Sequence, residues 1–327
     1  MQFGAGKELT MKLVNLIVFI SLFSFLSACS STSVVEPHLE KPKEYWYEDT
    51  ELNAIDISYA KASWVYSIVA DRTYLEKITL CLPFSDTWQE VMIDRNEYSK
   101  MQKNGFDAQA WLRTRADNNK KELIIAFRGT DSFLSDFLYA NLVFWEPIIG
   151  ESQFVTAVKF RDAVLRKIEA APDLEYDDLI FVGHSLGGGL AQYLQDYSVN
   201  SQAYVFNASP NRGRLYKKFG KPDAEKYVTR MYEKGEVLQY LRLFSDTDRY
   251  DNDNPGGKGM NTRWINFYSW NLIANHSMKD FSTALIRLAV IGGDKEAEKV
   301  MAHMIKRSET GVNAHKHHCT IANTHKV

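Results

Sequence analysis

The chain has 327 residues, 45% apolar and 24% charged, with 18 glycines and 8 prolines. That balance excludes a disordered, collagenous or disulfide-stapled protein and suits one large α/β domain with a sizeable core. A formal net charge of −2, with Lys and Arg scattered along the chain, argues against a nucleic-acid partner.

In chain order, the first readable segment is Leu13 to Ala28 (LVNLIVFISLFSFLSA), an uncharged apolar run preceded by Lys12. It is shorter than the roughly 20 residues a membrane span needs and has the layout of a secretory signal. The run closes in Leu26-Ser27-Ala28-Cys29, which resembles the lipobox of bacterial lipoproteins. The resemblance implies that Cys29 is lipidated on sulfur and becomes the mature N-terminus. Ser30 immediately after it fits outer-membrane sorting. Residues 29–43 then read as a polar, breaker-containing tether, and 44–327 as a single domain. Translation from Met11 would give a compact positive segment ahead of the apolar run. Of the two remaining cysteines, Cys81 and Cys319 are a candidate disulfide in an exported protein, a pairing with no geometric support from their separation.

Glu51 to Arg72 has apolar residues at helical spacing. Ala108 to Arg113 and Glu122 to Phe127 flank the turn-forming Asp117-Asn118-Asn119 and predict a strand pair. Ser152 to Ala171 predicts a helix. Leu179 to Val182 (LIFV) is a short continuous apolar run of the kind a central parallel strand shows when both faces are covered. Leu186 to Tyr197 predicts a helix, Ala203 to Phe206 and Val237 to Phe244 predict strands, and a last helix is expected from about Met278 to Ile291. Strands alternating with helices predict an α/β fold with a mainly parallel central sheet flanked by helices.

The chemistry concentrates at Gly183-His184-Ser185-Leu186-Gly187, a G-x-S-x-G pentapeptide. Alone the pattern is weak, but here it directly follows a predicted strand and directly precedes a predicted helix. That setting is what a nucleophile elbow demands, with glycines where the sharp turn crowds its neighbours. The segment lacks the G-K-[ST] ending of a phosphate-binding loop.

A serine hydroxyl needs a base to take its proton, and the base needs a carboxylate to orient it. In this kind of fold the chain order is Ser, then Asp or Glu, then His. His276, in a loop just ahead of the predicted last helix, is the expected base; His303 lies within a helical pattern, and His184 is adjacent to the nucleophile on the turn. Asp246 follows the predicted strand Val237 to Phe244 and is the expected acid, with Asp248 as its competitor two residues on. The run Asp246, Asp248, Asp251, Asp253 lacks the Gly and terminal Glu of a calcium loop.

Leu123 to Thr130 (LIIAFRGT), Leu179 to Gly188 (LIFVGHSLGG) and the Asp246–His276 region together resemble the class 3 lipases, the fungal-lipase-like α/β-hydrolases, over about residues 105 to 280. The resemblance implies that the backbone N–H groups of Thr130 and Leu186 hold the oxyanion. It also implies that the apolar segment Phe133 to Trp145 stands where such lipases carry a lid. Two departures stand out. Asp246 is followed by Thr247 and Asp248 instead of an apolar pair and a proline, and the strand after the elbow ends in Asn207-Ala208-Ser209-Pro210. The Asn-His-Ser-Met sequence around His276 is closer to bacterial phospholipase-like relatives. The expectation is a membrane-tethered lipase or phospholipase acting on a lipid or ester substrate without a metal or organic cofactor. The rival readings are a small-ester or thioester hydrolase, an acyltransferase, or a non-catalytic envelope lipoprotein. The oligomeric state is left open.

Overall fold

The computed structural model describes residues 53–74, 80–103, 105–129, 150–171, 174–209, 227–239, 259–267, 274–309 and 325–326. All of them belong to the larger of the two units into which the chain divides, residues 41–327. The expected signal, Cys29 and the tether lie outside the described residues, as do Thr130, the segment 133–145, Asp246, Asp248 and Cys319. Cys81 is fully buried and disulfide-bonded, and both other cysteines fall outside the described residues.

Helix α1 (Ala54–Arg72) starts where the Asn53 side chain accepts the Ile55 N–H at 2.9 Å, satisfying an amide that has no intrahelical partner. Strand β1 (Thr87–Glu90) and helix α2 (Arg95–Gln102, capped by Asp94) follow. Strands β2 (Ala108–Thr114) and β3 (Lys121–Phe127) form the expected antiparallel pair, with Asn119 of the connecting turn at φ 57°. Next come α3 (Gly150–Glu169), β4 (Asp178–His184), α4 (Leu186–Asp196), β5 (Ser201–Phe206), β6 (Tyr227–Glu233) and β7 (Gly259–Ile265). A 3-10 turn (Ala274–His276) leads into α5 (Met278–Ile291), then α6 (Lys295–Glu309) and a short β8 (His325–Lys326).

One sheet of eight strands runs β7-β6-β5-β4-β3-β2-β1-β8. Strands β3 to β7 run parallel to one another, β2 pairs antiparallel with β3 and β1 antiparallel with β2 at one side, and β8 lies parallel to β1. Alternate side chains enter two separate cores, as the two-residue period of a strand requires. In β4, Ile180 and Val182 face a core shared with α1, α5 and α6, whereas Leu179 and Phe181 face one shared with α3 and α4. Helices α1 and α5 are further tied by Ser282 Oγ donating to the Ser67 carbonyl at 3.0 Å. This is an α/β-hydrolase fold. The register sets Phe127 beside Gly183, His184 beside Phe206 and Phe206 beside Met231, so the carboxyl ends of β3 to β6 lie side by side.

One expected strand is displaced. Among the described residues the strand after β5 is Tyr227–Glu233; Val237 to Gln239 lie in a turn that ends on a helical residue, and the rest of the expected strand, 240–244, lies outside the described residues. Val237 and Leu238 are buried, so their apolar character reflects burial of a turn and carries no strand geometry. Strand β6 itself carries Arg230, which is fully buried with its guanidinium Nε donating to Gln192 Oε1 at 2.7 Å.

Candidate active site

Ser185 is the single residue between β4 and α4, at φ 55° and ψ −125°. A non-glycine residue with a positive φ costs of order 1–3 kcal/mol and persists only where its surroundings enforce it. The enforcing contacts are explicit. Ser185 N–H donates to the Phe206 carbonyl at 3.1 Å, and the Ser185 carbonyl accepts from Gly188 N–H at 3.0 Å and Ser209 N–H at 2.9 Å. A Cβ at Gly183 would collide with the Gly187 carbonyl, and one at Gly187 with the Phe127 carbonyl of β3. Both obstacles are backbone and cannot swing aside. Gly187→Ala is therefore expected to cost about 3 kcal/mol, lowering Tm by roughly 6–12 °C for a domain of this size. An unchanged melting curve would show that β3 and the elbow are not packed as closely as described.

His276 closes the 3-10 turn and is followed by Ser277, whose hydroxyl accepts the Asp280 N–H at 3.3 Å and caps α5. The imidazole is thus carried on the rigid start of a buried helix. Its Nε2 lies 3.0 Å from Ser185 Oγ. Its Nδ1 lies 2.7 Å from Oε2 of Glu236, a fully buried carboxylate that also accepts Leu238 N–H at 2.9 Å. An ionised carboxylate can only accept, so Nδ1 carries the proton and Nε2 is left with a lone pair toward the serine. The expected nucleophile and base are brought together.

The expected acid, Asp246, lies outside the described residues, and the structure sets another carboxylate against the histidine. The carboxylate against His276 is Glu236, ten residues ahead of Asp246. The physical reason is the displaced strand: β6 ends at Glu233, Gly235 turns at φ 78°, and the next residue is Glu236. Glu236 therefore follows its strand by a tight turn, but the strand is the earlier one. Asp246 and Asp248 lie outside the described residues. A charged residue directly after a glycine turn, Lys234-Gly235-Glu236, was the available signal.

Leu186 is the first residue of α4. Amides of a helix's first turn lack an intrahelical acceptor, and the helix dipole makes that end positive, so its N–H suits a developing oxyanion. Just ahead of Thr130, Gly129 N–H donates to Tyr74 Oη at 3.1 Å, and the same hydroxyl is hydrogen-bonded to His184 Nδ1 at 2.7 Å. The Tyr74 hydroxyl thus links His184 to Gly129, two residues past the end of β3, and the His184 ring lies 4.7 Å from that of His276, centroid to centroid. Tyr74 had no signature in the sequence, because its contact depends on the end of α1 reaching the carboxyl edge of the sheet.

Residues 71–252, more than half of the chain, match the Tle-like phospholipase domain of the phospholipase-like proteins. The chain belongs to that family. Membership sets the coarse class of the site as lipid-ester hydrolysis, and the matched stretch includes Ser185 and Glu236. Among solved structures, a lipase from Rhizopus microsporus var. chinensis is 18% identical, with 64% of this chain and 81% of that chain covered and a TM-score of 0.36. A triacylglycerol lipase from Penicillium expansum is 15% identical, with 64% and 80% covered and a TM-score of 0.38. No curated protein matches the chain.

Proposed function

We propose that the chain hydrolyses a carboxylic ester of a phospholipid or acylglycerol through an acyl-enzyme on Ser185. The observation that supports this is the continuous line Ser185 Oγ, His276 Nε2, His276 Nδ1, Glu236 Oε2, with steps of 3.0 and 2.7 Å. His276 takes the serine proton as Oγ attacks the acyl carbonyl, Glu236 holds the imidazolium that forms, and His276 returns the proton to the departing alcohol. The Leu186 amide, with Thr130 as second donor, holds the oxyanion. Water activated by the same histidine then releases the fatty acid. A fluorophosphonate probe should label the wild-type protein on Ser185, because only an activated serine reacts. Phospholipid vesicles, a triacylglycerol emulsion and a water-soluble short-chain ester then rank the substrate. Faster turnover of the soluble ester than of either lipid would overturn the lipid assignment in favour of small-ester hydrolysis.

The same reading includes an envelope location, with the domain tethered through a lipid on Cys29 to the outer membrane. Among the described residues no helix is long and apolar enough to cross a membrane, and the support for the anchor is the Leu26-Ser27-Ala28-Cys29 sequence. Cys29→Ala should leave the protein unlipidated and move it from the membrane to the soluble fraction. Mass spectrometry of the mature N-terminus checks this, and an unmodified or uncleaved N-terminus in the wild type would sink it.

A further inference from the structure

Strand β5 ends beside the elbow, and the residue after it is Asn207. It is fully buried and adopts φ 41°, a left-handed conformation that asparagine tolerates better than most residues. Its main-chain N–H donates to the Met231 carbonyl at 2.9 Å. Its side chain points both ways across the carboxyl edge of the sheet. Oδ1 accepts the Glu233 N–H at 2.8 Å, and Nδ2 donates to the Asn275 carbonyl at 3.2 Å.

Those two backbone groups have a particular place in the chain. Glu233 is the last residue of β6, three ahead of Glu236, and Asn275 immediately precedes His276. One planar amide thus spans the loop that carries the acid and the loop that carries the base. The residues on either side of it hold the nucleophile, since Phe206 accepts the Ser185 N–H and Ser209 donates to the Ser185 carbonyl. The acid loop is braced a second time where Glu233 Oε1 accepts the Phe267 N–H at 2.9 Å.

Resting on the reading of Ser185, His276 and Glu236 given above, we propose that Asn207 is a positioning residue that sets the distance and angle between the acid and base loops. The chemistry explains the residue type. The position needs a donor on one side, an acceptor on the other and a left-handed backbone. Aspartate lacks the donor, and glycine satisfies only the backbone. Burial raises the cost of any loss, because the Glu233 N–H and the Asn275 carbonyl would exchange a fixed amide for no partner or for a water that ties neither loop to the other. A displacement of about 1 Å in a catalytic group can cost 10²-fold in rate, so a small relaxation of either loop has a kinetic signature.

The test uses the full chain with Asn207→Gly and Asn207→Asp. Glycine keeps the left-handed backbone without strain and removes both side-chain bonds, and aspartate keeps shape and acceptor but sets an oxygen against the Asn275 carbonyl. Competent serines are counted by fluorophosphonate titration, and kcat and KM are measured on a short-chain ester. The low-field proton resonance of the His276 N–H shared with Glu236 is recorded by NMR. The expected result is kcat per titrated serine about 10- to 100-fold lower in both variants, KM within about twofold, and the low-field resonance shifted or lost. If kcat per titrated serine and the resonance are unchanged in Asn207→Gly while only Tm falls, Asn207 is a structural bond and the proposal is wrong. A wild-type protein that the probe does not label would instead refute the hydrolase reading. The resonance still decides the positioning question in that case, because it reports the His276–Glu236 geometry without turnover.

Discussion

Glu236→Gln should lower kcat by roughly 10³- to 10⁴-fold while leaving the fold intact, the effect seen when an orienting carboxylate is replaced by its amide. The two side chains have the same shape, so the buried site keeps its packing, but one atom, Oε2, meets both His276 Nδ1 and the Leu238 N–H: an amide oxygen there loses the negative charge that stabilises the imidazolium, and an amide NH₂ there leaves the Leu238 N–H without its acceptor. What changes is the face toward His276. An amide NH₂ donating to Nδ1 forces the imidazole proton onto Nε2, the atom 3.0 Å from Ser185 Oγ, and that nitrogen can then no longer accept the serine proton. KM should move little, because Glu236 is buried behind the histidine and touches no substrate. Asp246→Asn, ten residues downstream, should change kcat by less than about tenfold, as expected for a charge that does not hold the imidazole. The pair of variants is decisive: a large loss in Asp246→Asn with an active Glu236→Gln would return the role of the acid to Asp246.

Ser185→Ala should remove roughly 10⁶-fold of the activity and all fluorophosphonate labelling. The elbow is built from backbone contacts that alanine preserves, namely the Ser185 amide to Phe206 and its carbonyl to Gly188 and Ser209. Alanine and serine have the same Cβ at φ 55°, so the positive-φ strain is common to both and Tm should shift only slightly. Separating the two effects matters, because a loss of activity accompanied by unfolding would say nothing about chemistry. Residual hydrolysis above a few per cent of wild type in the purified variant would mean that another nucleophile is at work.

The parts of the site legible in the sequence are those whose chemistry is written into local backbone geometry. The elbow needs glycines on both sides of a serine and a strand and helix around it, and all of these are contiguous in Leu179 to Tyr197. His276 was legible for a similar reason, since the loop ahead of Met278–Ile291 is short and ends at a capping serine. Glu236 was not legible as the partner of His276, because its place depends on which segment forms β6. Tyr227–Glu233 (YVTRMYE) has charged residues that suggest a surface, yet Arg230 and Glu233 are fully buried and hydrogen-bonded. The apolar Val237 and Leu238 have the composition of a strand but are buried in a turn, and Glu236 stands just ahead of them. The contacts of Asn207 and Tyr74 have no local signature for the same kind of reason: each joins segments brought together only by the sheet.

The order in which the chain supplies its parts has a consequence for its biosynthesis. Strand β4, the elbow and the start of α4 are complete by residue 196, whereas His276 comes later, and its helix α5 is seated against α1, the first helix of the described domain. Roughly 200 residues separate α1 from the helix it packs against, so at about 5–20 residues per second the ribosome leaves α1 waiting roughly 10–40 s for its partner. During that interval a growing chain holds a serine with no base, and the apolar face of α1 lacks its eventual cover. Under the proposed export to the envelope, the serine stays without its base until residue 276 has followed it across the membrane and α5 has docked on α1.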